Sequence, residues 1–482
     1  MDLKSLSISK IHSLFEKKEL SVTELVTEFT TNLKKTQTNA VITDLTEQAL
    51  EVAKNLDKQG FDKNKKLFGI PMGVKDVFCT KGIKTTCASK MLEHFIPDYE
   101  STTTQRFLDE GAINIAKLNQ DEFCMGSGAM NSYFEPVINP LSKDTPLVAG
   151  GSSGGSAAAM ADDLCQFSIG TDTGGSVRLP AAFCDLFGMR PSYGRCSRYG
   201  IIAFASSLDT PGFLTKSTED MEIVLNIASG SDVKDQTTYT KNEEIKIDKN
   251  YNFKGKKIAI LKESFSDEVD PCIRLKIQEM IDFAKSCGST IEIIEMPISV
   301  SHGINVYYAI ASAEMSSNLA RFDGLRFGGI TKDCNDIQNL YRNSRTECLG
   351  EEVQNRIILG NMSLSEEYID EIYFKGTKVR RLIYHEFNDI FKKFDFVVTP
   401  TTSSLPFEVK NNLTDRQMWF NDIFTIPSAL AGVPAISIPA GYDITTGLPI
   451  GIQLISNIFT ESLLLSASYF IEKNLKNETK TR

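Results

Sequence analysis

The stretch IAILKESFSDEVDPCIRLKIQEMIDFAKSCGSTIEII, residues 258–294, decides the fold class. Ile258–Leu261 is a short apolar run of strand length, Pro271–Cys287 has helical spacing behind an opening proline, and Ile291–Ile294 is a second β-branched run. That order predicts a β-α-β unit. Further strand candidates stand at Phe396–Thr399, Ala435–Ile438 and Gly451–Ile455. Such alternation predicts an α/β fold, with a mixed or mostly parallel central sheet covered by helices on both faces.

Outward from this unit, the first sixty residues read as helical. Ser21-Val-Thr-Glu24 is a capping box ahead of Leu25, Val26 and Phe29. Asp44 is placed to cap a second helix with Ala49, Val52, Ala53 and Leu56 on one face, stopped by Gly60. The expected organisation is an N-terminal helical segment, residues 1–65, packed on one large domain, residues 66–482. A charged, exposed connection is expected over 232–254. No internal repeat or low-complexity tract interrupts it.

Composition narrows the function classes. The chain has 482 residues, 41% of them apolar and 24% charged, as in a globular protein with a large core. Its net charge of -10 repels phosphate backbones, so the main nucleic-acid contact is expected on another chain. Ten cysteines form no C-x-x-C pair and only four histidines accompany them, so no metal site is expected. Reduced thiols fit a cytoplasmic protein. The N-terminus lacks a signal peptide's apolar core, and the least polar stretch, Phe424–Tyr442, carries three prolines. No membrane segment is expected.

The chemistry is written in two segments, Gly150-Gly-Ser152-Ser-Gly-Gly-Ser156-Ala-Ala-Ala159 and Asp172-Thr-Gly-Gly-Ser176-Val-Arg178-Leu-Pro180. A Gly/Ser run is by composition more often a linker. This one leads directly into the helix-forming Ala157–Met160, and it lacks the Gly-Lys-Ser/Thr ending of a phosphate loop. In the second segment, adjacent glycines leave successive main-chain N–H groups uncrowded and able to converge on an oxyanion beside Ser176. The competing reading of Ser176 is a helix N-cap. A serine nucleophile needs a base, and no histidine lies near either segment. Lys75, in the apolar Gly69-Ile-Pro-Met-Gly-Val-Lys75, is a lysine whose desolvation favours the neutral amine, although most lysines are solvated surface charges.

Together these residues resemble the amidase signature family, whose signature Gly150–Ala181 matches almost position for position. Within it, Asp121–Gly126, Tyr193–Asp209, Ala313–Gly324 and Arg356–Gly360 resemble the glutaminase subunits of tRNA-dependent amidotransferases. The resemblance implies a triad of Lys75, Ser152 and Ser176, with a cis peptide bond between Gly151 and Ser152. It implies an oxyanion hole from the N–H groups of Thr173, Gly174 and Gly175. It also implies three glutamine contacts: Arg356 for the α-carboxylate, Asp422 for the α-amino group, and the Tyr307 hydroxyl closing the pocket, with Tyr308 the alternative by one residue. Arg178 is expected to brace the core. The implied partners are the amidotransferase subunits B and C in a heterotrimer, with tRNA held mainly by B. No cofactor is expected on this chain, and ATP and magnesium are expected on the partner. Two departures are Gly128-Ala129-Met130, where many relatives carry Ser-Thr-Glu, and Thr210-Pro211-Gly212-Phe213, where a Gln-containing stretch is commoner. The other reading is a free-standing amidase of small or acyl amides.

Overall fold

The computed structural model describes residues 3–241, 243–332, 334–410 and 420–475. Eleven strands form one mixed sheet among the described residues. They are β1 (Val41–Asp44), β2 (Pro71–Lys75), β3 (Ile113–Leu118), β4 (Phe167–Asp172), β5 (Phe187–Arg190), β6 (Thr210–Thr215), β7 (Lys257–Leu261), β8 (Thr290–Ile294), β9 (Phe396–Pro400), β10 (Ala435–Tyr442) and β11 (Pro449–Ile455). Their order is β1-β3-β2-β4-β6-β5-β10-β11-β9-β7-β8.

The β-α-β unit is present: β7 and β8 are parallel and the Pro271–Ser286 helix connects them. All three later strand candidates lie in β9, β10 and β11. The sheet is mixed rather than mostly parallel. Only β2–β3, β2–β4, β7–β8 and β7–β9 pair in parallel, and the other six pairings are antiparallel. Hairpin links such as β10–β11 impose the antiparallel pairs.

Six strands before residue 216 lay outside the expected set, and four of them share a physical reason. Pro71–Lys75, Phe167–Asp172, Phe187–Arg190 and Thr210–Thr215 are buried at every position, so the alternation that marks a half-exposed strand is missing.

The N-terminal residues are not all helical. The β-branched Val41-Ile-Thr adds β1 antiparallel to β3, between the Val22–Leu33 and Thr46–Gln59 helices. The capping box at Ser21 and Glu24 is formed in both directions. Asp44 Oδ1 accepts the Thr46 N–H at 2.8 Å from one residue before the cap position, and Gly60 ends the helix at φ +82°. Val52 differs from expectation: it is 45% exposed, while Ala49 and Ala53 face the core. Among its described residues the charged connection forms no helix or strand, yet Asp235, Ile245, Ile247 and Phe253 pin it down by burial. No described helix is long and apolar enough to cross a membrane.

The topology sets the site's position. β3, β2 and β4 are adjacent and parallel, so the loops after Leu118, Lys75 and Asp172 leave the same edge of the sheet. Carboxyl ends of parallel strands are where such folds open a crevice.

Candidate active site

Lys75 ends β2 and is fully buried. Its Nζ lies 2.8 Å from Ser152 Oγ, 2.9 Å from Ser153 Oγ and 3.0 Å from Thr171 Oγ1. Burial pushes the ammonium pKa below its ordinary value, opposed by the neighbouring Cys124, Asp121 and Asp172. The Gly151–Ser152 peptide bond is cis.

Hydrogen-bond capacity sets the direction of proton flow. A neutral amine has two N–H groups and one lone pair. Ser153 Oγ sends its proton to the Thr171 carbonyl oxygen, 3.2 Å away, so it accepts from Lys75. Cys124 Sγ lies 3.7 Å from Gln120 Oε1 as donor, which leaves the sulfur to accept from Thr171 Oγ1 at 3.4 Å. Thr171 therefore also accepts from Lys75. With Ser153, Thr171 and the Cys124 sulfur available as acceptors for the two N–H groups, a neutral amine can turn its lone pair to the Ser152 hydroxyl. That is the polarity a base needs.

Ser176 is 9% exposed. It does not cap the following Arg178–Phe183 helix, whose cap position is Val177 and carries no side-chain cap bond. Asp172 Oδ2 takes the Val177 N–H at 3.2 Å instead. The Ser153 N–H donates to the Ser176 carbonyl at 3.0 Å, which ties the two serine loops together. No hydrogen bond joins the Ser152 and Ser176 hydroxyls among the described residues, whereas Lys75 and Ser152 are bonded. Catalytic hydrogen bonds are often completed only with substrate in place.

The main-chain N–H groups of Thr173, Gly174, Gly175 and Ser176 donate to no protein acceptor among the described residues. Four free donors in succession suit an oxyanion. The glycines are required by crowding. A Cβ on Gly174 would stand 2.9 Å from the Tyr307 ring, and one on Gly175, at φ +150°, 2.3 Å from Thr425 Oγ1. Asp209 anchors this loop by accepting the Thr173 hydroxyl at 2.7 Å.

Tyr307, Arg356 and Asp422 gather on the other side of the loop. Tyr307 is the tyrosine against Gly174, whereas Tyr308 carries the Arg356 guanidinium 5.0 Å from its ring centre. Tyr307 thus faces the glycine loop and Tyr308 the guanidinium. Arg356 is buried in the Glu351–Ser363 helix and paired with Glu352 at 2.6 Å. Ser127 donates to Asp422 Oδ2 at 2.5 Å. Burial and the nearby Asp172 raise the Asp422 pKa to about 7, while the Ser127 bond and Arg356 pull it down.

Arg178 braces the core, as expected. It pairs with Asp172 at 2.8 Å and donates to the Thr425 carbonyl, Ser428 and Gln453, all buried. Burial by itself would raise the Asp172 pKa, and the guanidiniums of Arg178 and Arg190 hold it below the ordinary value. Arg178→Ala is expected to lower unfolding free energy by about 3–5 kcal/mol, because it strands a buried carboxylate. Denaturant titration checks this.

The Amidase family model matches residues 24–465. The chain belongs to the amidase family. It is 42% identical over 478 residues to the A subunit of the Glutamyl-tRNA(Gln) amidotransferase of Staphylococcus epidermidis, covering 98% of both chains. Identity to the Lawsonia intracellularis protein of the same name is 45% over 476 residues, 98% of this chain and 97% of that one. Among solved structures, the same amidotransferase component from Thermotoga maritima superposes with a TM-score of 0.82 at 32% identity, covering 99% of this chain and 96% of that one. A bacterial aryl acylamidase shares the amidase fold, with a TM-score of 0.83 at 22% identity, covering 97% of this chain and 96% of that one.

Sequence reasoning missed several members of this amidase site. Ser153 and Thr171 hold the lysine, Asp121 accepts the Ala129, Met130 and Asn131 N–H groups beside Gly151, and Asp209 holds Thr173. Ser153 lies inside the Gly/Ser run and Thr171 next to Asp172, so adjacency was the available signal.

Proposed function

We propose that this chain is the glutamine-hydrolysing subunit of a tRNA-dependent amidotransferase. The observation that carries the reading is the pair of opposite charges, Arg356 and Asp422, flanking a loop of free N–H donors at Ser176. A zwitterionic amide needs both charges; an acyl or aryl amide needs neither.

In this reading Ser176 Oγ attacks the side-chain carbonyl of glutamine. Its proton passes to Ser152, whose own proton moves to the Lys75 lone pair. The N–H groups of Thr173, Gly174 and Gly175 hold the oxyanion, each donor contributing roughly 3–4 kcal/mol. As the adduct collapses, the proton returns through Ser152 to the leaving nitrogen, and ammonia departs neutral. Water then hydrolyses the glutamyl ester on Ser176, and glutamate leaves.

The ammonia serves a partner that activates a misacylated tRNA, Glu-tRNA(Gln) by the names of the relatives and Asp-tRNA(Asn) as a second target. We assign tRNA binding, ATP and magnesium to the B component, make the C component the third member of a heterotrimer, and place that assembly in the cytoplasm. The net charge of -10 supports leaving RNA to the partner.

A substrate panel on wild type and Arg356→Ala tests the reading. Wild type is expected to prefer glutamine to aliphatic and aryl amides. The variant is expected to raise the glutamine KM by about 10²-fold, the worth of a charge-assisted pair, and leave simple amides alone. A wild type indifferent to the α-carboxylate is instead a free-standing amidase. Glutamine-dependent transamidation with B and C present tests the partner assignment.

A further inference from the structure

The helix that carries Arg356 does not cap itself. Gly350 stands at its cap position, with no side chain to offer, and the first helical residues are Glu351 and Glu352. The Gly350 N–H donates instead to Glu122 Oε2, 2.8 Å away and 228 positions earlier in the chain. The approach is close: a Cβ on Gly350 would fall 2.3 Å from that oxygen.

Glu122 belongs to the turn after β3, two residues before Cys124 and next to Asp121. The other carboxylate oxygen, Oε1, takes the Ser89 hydroxyl, which also points at the Cys348 carbonyl at 3.3 Å. Cys348 ends the Ile337–Cys348 helix. Ser89 and Glu122 thus grip both ends of the Cys348–Gly350 turn between two helices, and Leu349 is buried within it.

We propose that Glu122 is a positioning residue for glutamine, a carboxylate clamp that registers the Arg356 helix against the loop beside the Lys75 base. The inference rests on the glutaminase reading. A carboxyl oxygen at a helix N-terminus satisfies an orphan N–H, and burial raises the Glu122 pKa to about 7, so the clamp works as a hydrogen-bond acceptor more than as a charge. Arg356 sits on the second turn of that helix, so a shift at Gly350 moves the guanidinium relative to the oxyanion loop. Among the described residues neither Glu122 nor Gly350 makes a hydrogen bond to Ser152 or Ser176. The clamp therefore acts on glutamine recognition and not on bond cleavage.

The test compares Glu122→Ala and Glu122→Gln with wild type, in the full chain with its partner subunits. Substrates are glutamine and a short aliphatic amide without an α-carboxylate. Expected for Glu122→Ala is a glutamine KM raised about tenfold, as for a lost cap, with kcat and aliphatic-amide hydrolysis held within about twofold. Glutamine at position 122 keeps a carbonyl acceptor for the Gly350 N–H, so Glu122→Gln restores most of the KM. The amide reaction reports that the variants are folded. An unchanged KM, parallel losses on both substrates, or Gln behaving like Ala overturns the clamp while leaving the glutaminase reading intact. A wild type with no preference for glutamine overturns both.

Discussion

Ser176→Ala is expected to lower glutamine turnover by on the order of 10⁵-fold while leaving the fold and glutamine binding nearly unchanged. The hydroxyl is the only atom lost. It makes no cap bond to the Arg178–Phe183 helix, so removing it leaves no stranded partner there. The free N–H groups from Thr173 to Ser176 and the Lys75–Ser152 pair survive in the variant. Residual hydrolysis from those donors alone is the floor. Steady-state assays with isotopically labelled glutamine, together with equilibrium binding, measure both halves. Turnover near the wild-type rate would remove Ser176 from the mechanism.

Lys75→Met carries the second largest expected effect, a fall in kcat/KM of roughly 10²–10⁴-fold, the usual worth of a positioned general base. Methionine nearly matches the lysine stem in volume and removes the amine, leaving the Ser152, Ser153 and Thr171 hydroxyls without that partner. The pH dependence separates loss of the base from loss of packing. Burial lowers the Lys75 pKa, so the neutral amine forms at lower pH than a surface lysine allows. Wild-type kcat/KM should rise with pH through that depressed value, and Lys75→Met should lose the limb.

Stability follows the same group with a defined sign. Between the folded pKa and the ordinary value of 10.5, the unfolded chain holds a proton that the folded chain does not. Unfolding free energy therefore rises with pH across that window. Lys75→Met, having no proton to lose, should show a flatter profile. Chemical denaturation at several pH values measures the difference, and identical slopes in both proteins would mean that the lysine is not desolvated.

Much of the site was legible because some of its requirements are local. An oxyanion loop needs backbone without side chains, and Gly174-Gly175 before Ser176 states this in the residues themselves. The capping box at Ser21 and the β-α-β unit at 258–294 are local in the same sense, since caps and short apolar runs are read within a few positions. The strands around the site were not legible. β2, β4 and β6 are buried on both faces, charged Lys75 and Asp172 included, so they lack the inside–outside alternation of a half-exposed strand.

By itself the sequence indicated the fold class and set a serine beside two adjacent glycines as a candidate nucleophile with candidate donors, because main-chain chemistry and helix and strand periodicity are properties of neighbouring residues. Tertiary structure alone decided the rest. Desolvation of Lys75 depends on the segments packed around it, and its hydrogen-bond partners are hydroxyls 77 to 96 positions away. Tyr307 rather than Tyr308 meets Gly174 only once the Pro297–Leu319 helix is laid against the loop. Glu122 reaches Gly350 across 228 residues, and no pattern along the chain encodes that distance. Charge, proton direction and reach are set by what surrounds a group in space, and those surroundings exist only in the folded chain.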